Sequence, residues 1–291
     1  MLKKLDGKKA IITGASQGLG LSIAHKFILA GADIAICARN KKSLNNAKNK
    51  LKASSSKNQK IFSYVLDVSS EHDVKNIMGK ILQDLGGCHI LVNNAGILGP
   101  KNFIELNKWN DWVKTIEINL FGSILMCRAL IKHFKKQGHG KIIQLSGGGA
   151  TKPRPYFSAY SVSKTAIVRF CETLAEELRG TGIDVNCIAP GALNTRMLNE
   201  VLAAGPRKVG KFNYKQALEQ MKNGGDSLDK ASDLAIFLAS SESNGITAKL
   251  ISSVWDNWKK WPLYLNNLSN SDAYTLRRIT GKDRNFKWGD K

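Results

Sequence analysis

Short runs of β-branched and other apolar residues alternate along this chain with longer stretches whose apolar positions recur every three or four residues. That alternation predicts a parallel sheet with helices on both faces. Strands are expected at Lys9–Thr13, Asp33–Ala38, 60–67, Ile90–Asn93, 141–145, Ile183–Ala189 and 248–252. Helices are expected at 18–30, 42–53, Glu71–Leu85, 109–137, 159–179 and 231–240. Ser69 or Ser70 caps the third of these, and Ser232, just before Asp233, caps the last. The rhythm breaks twice. Residues 191–229 are polar and punctuated by glycine, longer than a tight connection needs, and read as a lid. Residues 254–291 follow the last strand and hold four of the six tryptophans, Trp255, Trp258, Trp261 and Trp288. With no repeat and no linker, the expected organisation is one domain over 1–253 with a Trp-rich extension, 254–291.

The 291 residues can bury a core without metal or disulfide support. Cys37, Cys88, Cys127, Cys171 and Cys187 all lie in apolar segments without metal spacing, so reduced core thiols and no metal site are expected. No apolar run approaches the length of a membrane span. The first nine residues hold no apolar signal-peptide core, and a cytoplasmic location is the expectation. Forty-four Lys and Arg against 23 Asp and Glu give a net charge of +21. Such a balance suits nucleic acid or an acidic partner. No helix-turn-helix, zinc or aromatic RNA-binding motif accompanies it, so nucleic acid is not expected as the primary ligand, and the charge reads as a basic surface.

Two motifs carry chemistry. Thr13-Gly14-Ala15-Ser16-Gln17-Gly18-Leu19-Gly20 joins the first strand to the first helix, where glycines permit a tight turn and close approach to a pyrophosphate. Three glycines at this spacing arise by accident in about one of five chains this rich in glycine, but the strand–turn–helix context removes most of that doubt. Tyr160 and Lys164 stand four apart on a predicted helix and share a face. A cation beside the phenol lowers its pKa from about 10, which makes a proton donor and acceptor for carbonyl–alcohol chemistry. Alone, such a pair is also a weak signal in a Lys-rich chain.

Together with Asp67, Asn93-Asn94-Ala95-Gly96, Asn119, Ser146 and Pro190-Gly191, these motifs resemble the compact short-chain dehydrogenases/reductases, from about residue 7 to 252. The resemblance implies an α/β Rossmann-type doubly wound sheet of about seven parallel strands with a C-terminal extension. It implies cofactor contacts from Thr13, Gly14, Ser16, Gly18, Leu19 and Gly20. Further contacts would come from Asp67 and Val68 near the adenine, Asn94, Ala95 and Gly96 beside the central strand, and Pro190, Gly191 and Thr195 near the nicotinamide. Asn119 would hold a proton-relay water, Tyr160 would be the acid/base, and Lys164 would bind the ribose and tune Tyr160.

One position departs from the pattern. The family's carbonyl-polarising serine falls thirteen residues before the tyrosine, where this chain has Gly147. Either a glycine-rich bulge swings Ser146 into that place, or Tyr160 and a backbone N–H hold the oxygen without it. At the end of the second strand, NAD-specific relatives place an acid, but this chain has Ala38-Arg39-Asn40-Lys41. Arg39 offers a planar fork to a 2′-phosphate and Ser16 a hydroxyl, so NADP(H) is favoured over NAD(H).

The substrate is read as a small carbonyl compound or alcohol, with a carbohydrate suggested by indole faces in the tail. The same tryptophans also suit packing of the tail. A 3-oxoacyl-(acyl carrier protein) reductase suits the positive charge, and Lys132 fits it, but Glu176 has the wrong sign. A low-activity cofactor-binding module is the reading Gly147 suggests, and intact Asn119, Tyr160 and Lys164 oppose it. The helices at 109–137 and 159–179 match those through which the family pairs subunits, so a homodimer or homotetramer is expected.

Overall fold

Strand residues alternate between two apolar layers, because successive side chains point to opposite faces of a sheet. Ile12, Ile34 and Ile36 enter one buried cluster, while Ile11, Ala35 and Cys37 enter the other. This is the pattern expected of strands covered on both sides. A computed structural model describes residues 3–288; residues 1–2 and 289–291, the outer ends of the two expected segments, lie outside the described residues.

The strands are β1 (Lys9–Thr13), β2 (Asp33–Ala38), β3 (Ile61–Val65), β4 (Ile90–Asn93), β5 (Gly140–Leu145), β6 (Ile183–Ala189) and β7 (Leu250–Ser252). They form a single seven-stranded sheet in the order β3-β2-β1-β4-β5-β6-β7, and every pair is parallel. Ile11 lies opposite Ala35 on one side and Leu91 on the other. The order reverses between β1 and β4, which opens a crevice at the carboxyl ends of the strands.

One face carries α1 (Gly18–Leu29), α2 (Lys41–Ala53) and, later in the chain, the helix Leu228–Ala239. The other carries α3 (Glu71–Leu85), the paired helices α4 (Trp109–Ile116) and α5 (Gly122–Gln137), and α6 (Ser158–Glu177). Ser70, not Ser69, caps α3 by accepting from the Asp73 N–H. All five cysteines are buried and free. Burial alone pushes the Cys37 thiol up to about 12.

Three expectations change. The helix expected over 109–137 is interrupted by a π-helical turn, Glu117–Phe121, that contains Asn119. Single π turns concentrate at functional sites. Residues 191–229 are not a loop but carry α7 (Arg196–Val209) and α8 (Lys211–Asn223). The next helix, α9 (Leu228–Ala239), begins earlier than expected and is capped by Ser227, while Ser232 lies inside it, buried against the Ser22 hydroxyl at 2.9 Å. The packing reading of the tail holds for two tryptophans: Trp258 and Trp261 are buried in the core, with Trp258 against Phe237 and Trp261 against Tyr274. Only Trp255 and Trp288 of the tail's tryptophans are exposed.

Candidate active site

The turn after β1 is built by close approach. A Cβ on Gly20 would stand 2.3 Å from Asn94 Nδ2 and 2.6 Å from the Gly14 carbonyl, so only glycine fits there. Asn94 Nδ2 donates to the Thr13 and Gly14 carbonyls, and the Thr13 hydroxyl accepts from the Asn94 and Ala95 amides. These bonds tie the ends of β1 and β4 into one rigid floor. The helix α1 that follows has no side-chain cap at Gln17 and no acid in its first turn. Its first amides therefore remain available to an anion, aided by the helix dipole.

A cleft of about 1400 Å³ lies over this floor. Gly14, Ser16, Gly18 and Leu19 line it from the first turn, and Arg39, Asp67 and Val68 from the ends of β2 and β3. Asn94, Ala95 and Gly96 line its centre. Ser146, Tyr160 and Lys164 form the far wall, with Pro190, Gly191 and Thr195 above. Three expected site residues, Thr13, Gly20 and Asn119, are not part of this lining. Asp67 accepts from the Ser69 amide and hydroxyl. Its burial opposes ionisation, but those bonds and the charges of Lys114 and Arg39 outweigh it and hold its pKa below the usual carboxylate range.

The Asn119 side chain is fully engaged. Both hydrogens of its amide are used, one on the Ile97 carbonyl and one on the Ser163 hydroxyl, and its Oδ1 accepts from the Ile97 amide. The side chain is fully buried. It clamps the β4 loop to α6.

Tyr160 and Lys164 share the cleft-facing side of α6, with Lys164 Nζ 5.7 Å from the Tyr160 ring centroid. Lys164 Nζ donates to the Leu145 carbonyl at 2.7 Å. Burial lowers its pKa to about 8. The expected lowering of the Tyr160 phenol by Lys164 is not found. Burial raises the phenol's pKa, and the charge that pulls it partly back belongs to Arg154, a cleft residue the motifs did not single out. The one sequence signal at Arg154 is its place between Pro153 and Pro155, six residues before Tyr160.

Gly147 faces the tyrosine. A Cβ on Gly147 would stand 2.4 Å from the Tyr160 hydroxyl. The Ser146 hydroxyl is buried in the same wall without a hydrogen-bond partner. Such a group in a cleft is a donor and acceptor left for a ligand. The roof, α7 and α8, joins the site through Leu198, Val201, Val209 and Ala217, which pack with Leu98, Phe157 and Tyr160. Trp255 and Tyr274 of the tail reach the cleft as well. Among the described residues no metal-ligating cluster occurs, and no helix is long and apolar enough to cross a membrane.

Residues 8–205 match the family model described as short chain dehydrogenase. A glucose 1-dehydrogenase of Gluconobacter oxydans is 34% identical over 251 residues, covering 85% of this chain and 91% of its own length. An NAD+-bound xylitol dehydrogenase structure superposes with a TM-score of 0.79 at 26% identity, covering 86% of this chain and 98% of that one. A gluconate 5-dehydrogenase from Burkholderia cenocepacia, in complex with NADP and tartrate, gives a TM-score of 0.75 at 27% identity, over 86% and 96% of the two chains.

Proposed function

This chain belongs to the short-chain dehydrogenase family, an enzyme acting on alcohol and carbonyl groups with a nicotinamide cofactor, and we propose that it uses NADP(H) to interconvert a carbonyl and a secondary alcohol on a small polyhydroxylated molecule. The observation that carries this reading is the cleft that joins uncapped α1 amides, Arg39 and the Tyr160–Lys164 pair.

The lining fits a dinucleotide. Gly14, Ser16, Gly18 and Leu19 would cradle the pyrophosphate, while Asp67, Val68 and Ala95 would flank the adenine. Gly96, Pro190, Gly191 and Thr195 would bound the nicotinamide end. No acid stands at the end of β2 to accept a ribose 2′-hydroxyl or repel a phosphate, and Arg39 has no ion-pair partner among the described residues. A guanidinium there suits a 2′-phosphate. When bound, the reduced cofactor supplies hydride to the carbonyl carbon.

As charge grows on the substrate oxygen, the Tyr160 phenol gives it a proton, and in the reverse direction takes one. Burial raises the phenol's pKa, so it stands protonated at neutral pH and can donate to the forming alkoxide. Lys164 holds the ribose hydroxyls. Ser146, with its partnerless hydroxyl, donates to a ligand oxygen in the wall instead of serving Tyr160. The relatives named for glucose, xylitol and gluconate motivate the polyol class.

The test is NADPH and NADH affinity together with a carbonyl panel followed by NADPH absorbance. We expect NADPH to bind roughly tenfold or more tighter than NADH. Tyr160→Phe should keep that affinity and lose turnover by about two to four orders of magnitude, and Ser146→Ala should lose roughly tenfold. Equal affinities would remove the phosphate site, and a Tyr160→Phe enzyme at parental rate would remove the acid.

A further inference from the structure

Arg154 sits in the reacting end of the cleft as an unpaired cation. Its guanidinium lies 4.0 Å over the Phe157 ring, and the side chain is half-buried. Among the described residues, no carboxylate lies within ion-pair distance of it. The two acids that line the cleft are otherwise engaged: Asp67 accepts from Ser69, and Asp256 accepts from the Ser252 amide. Its Nη1 lies beside the backbone of the cleft wall, where a Cβ on Gly148 would stand 3.8 Å away, in ordinary contact.

The backbone holds this cation in place. Arg154 opens a turn in which its carbonyl accepts from the Phe157 amide at 3.2 Å, with Pro155 second and Tyr156 third. Pro suits the second position of a type II turn, and the third requires a positive φ that usually selects glycine. Tyr156 adopts φ +72° instead. Such strain persists only where neighbours over-determine it, and it clusters at functional sites. Here the neighbours are Phe103, whose ring centroid lies 4.6 Å from that of Tyr156, and the Asn102 amide, which donates to the Tyr156 carbonyl. Pro153 and Pro155 restrict the backbone on either side of Arg154.

A part-buried charge without a partner is costly, and the cost falls away when a counter-ion arrives. We propose that Arg154 is a specificity residue that binds a carboxylate of the substrate, so that the preferred substrate is a hydroxy or keto acid and not a neutral polyol. This rests on the oxidoreductase reading and narrows its substrate class. The guanidinium fork matches a carboxylate in two parallel hydrogen bonds, which also orients the carbon skeleton. Gly147 supports the assignment: with bare backbone opposite Tyr160, orientation of the substrate passes to a group that grips it elsewhere.

The experiment compares matched pairs on the NADP+-loaded protein by calorimetry: D-gluconate with D-glucitol, D-xylonate with xylitol, and lactate with 1,2-propanediol. In each pair the acid differs by replacement of carboxylate with a hydroxymethyl group. We expect at least one acid to bind roughly 10- to 100-fold tighter than its neutral partner. Arg154→Met should bring that ratio close to one while NADP+ affinity is kept, and Arg154→Lys should restore it in part. No saturable binding of any acid, a ratio near one in every pair, or a ratio that survives Arg154→Met each overturns the proposal. So does a fall in NADP+ affinity in Arg154→Met with the ratio unchanged. Oxidation of neutral polyols without preference for acids would remove this inference and leave the oxidoreductase reading intact. That reading falls separately if NADPH does not bind.

Discussion

Restoring a serine at position 147 should damage the enzyme. The added Cβ would stand 2.4 Å from the Tyr160 hydroxyl and 3.2 Å from Cζ, where ordinary contacts begin at 3.4 Å. The phenol oxygen must therefore move by about 1 Å, or the strand end must give way by as much. Neither is free to do so. Tyr160 is packed with Leu98, Phe157, Leu198 and Val201, and the preceding residue is held by the bond from the Ser146 amide to the Ile188 carbonyl. Overpacking of this kind costs about 1–3 kcal/mol, which a lowered melting temperature would read. Displacing the acid by about 1 Å costs on the order of 100-fold in rate. The assay is kcat/KM for NADPH-dependent carbonyl reduction by Gly147→Ser and Gly147→Ala, beside their thermal melts and NADPH affinities. Both variants should lose rate by about that factor and keep the cofactor, because the clash comes from Cβ, which they share. A Gly147→Ser enzyme as fast as its parent, with an unchanged melt, would show that Tyr160 works from a position other than the one seen.

Two further outcomes follow from the same structure. Burial depresses Lys164 to about 8, below its ordinary 10.5. Between these values the unfolded chain binds more protons than the folded one, so this group's contribution makes stability rise with pH there. A ligand that accepts hydrogen bonds from the ammonium reverses part of the shift, so NADPH binding near pH 9 should take up protons; calorimetry in buffers of different ionisation heat measures this, and zero uptake contradicts the ribose assignment. Trp109 on α4, Phe121 in the π turn and Val162 on α6 are large apolar side chains left exposed. If these helices pair copies of the chain, sedimentation at micromolar concentration should find a dimer or tetramer, whereas a monomer alone would refute it.

The alternation of strands and helices was readable because each strand is covered on both sides and each helix on one. The Tyr160–Lys164 spacing was readable because α6 is regular across it. The π turn was not, since one extra residue leaves an apolar periodicity on each side that still reads as helix. The lid segment hid α7 and α8 because their few apolar residues serve only the small cluster around Tyr160. Ser232 misled because a serine before an acid resembles a cap, and its actual contact with Ser22 lies 210 residues away. Arg154 was invisible among so many basic residues until the turn after Pro153 brought it to the cleft. The asparagine clamp and the bare backbone at Gly147 also belong to tertiary contact, which local pattern does not encode.

The tail has a consequence for solubility. β7 is the last strand of the sheet and only three residues long, so its outer amides and carbonyls could template another chain. The tail blunts that edge. The Leu250 amide donates to the Tyr274 carbonyl, Lys249 Nζ reaches the Ser271 and Ala273 carbonyls, and the Leu276 amide donates to Glu172. Removing the segment after Ser253 would bare both a sheet margin and the apolar surface beneath Trp258 and Trp261, a combination that drives aggregation. The extension thus guards this margin of the sheet against pairing with a strand of another chain.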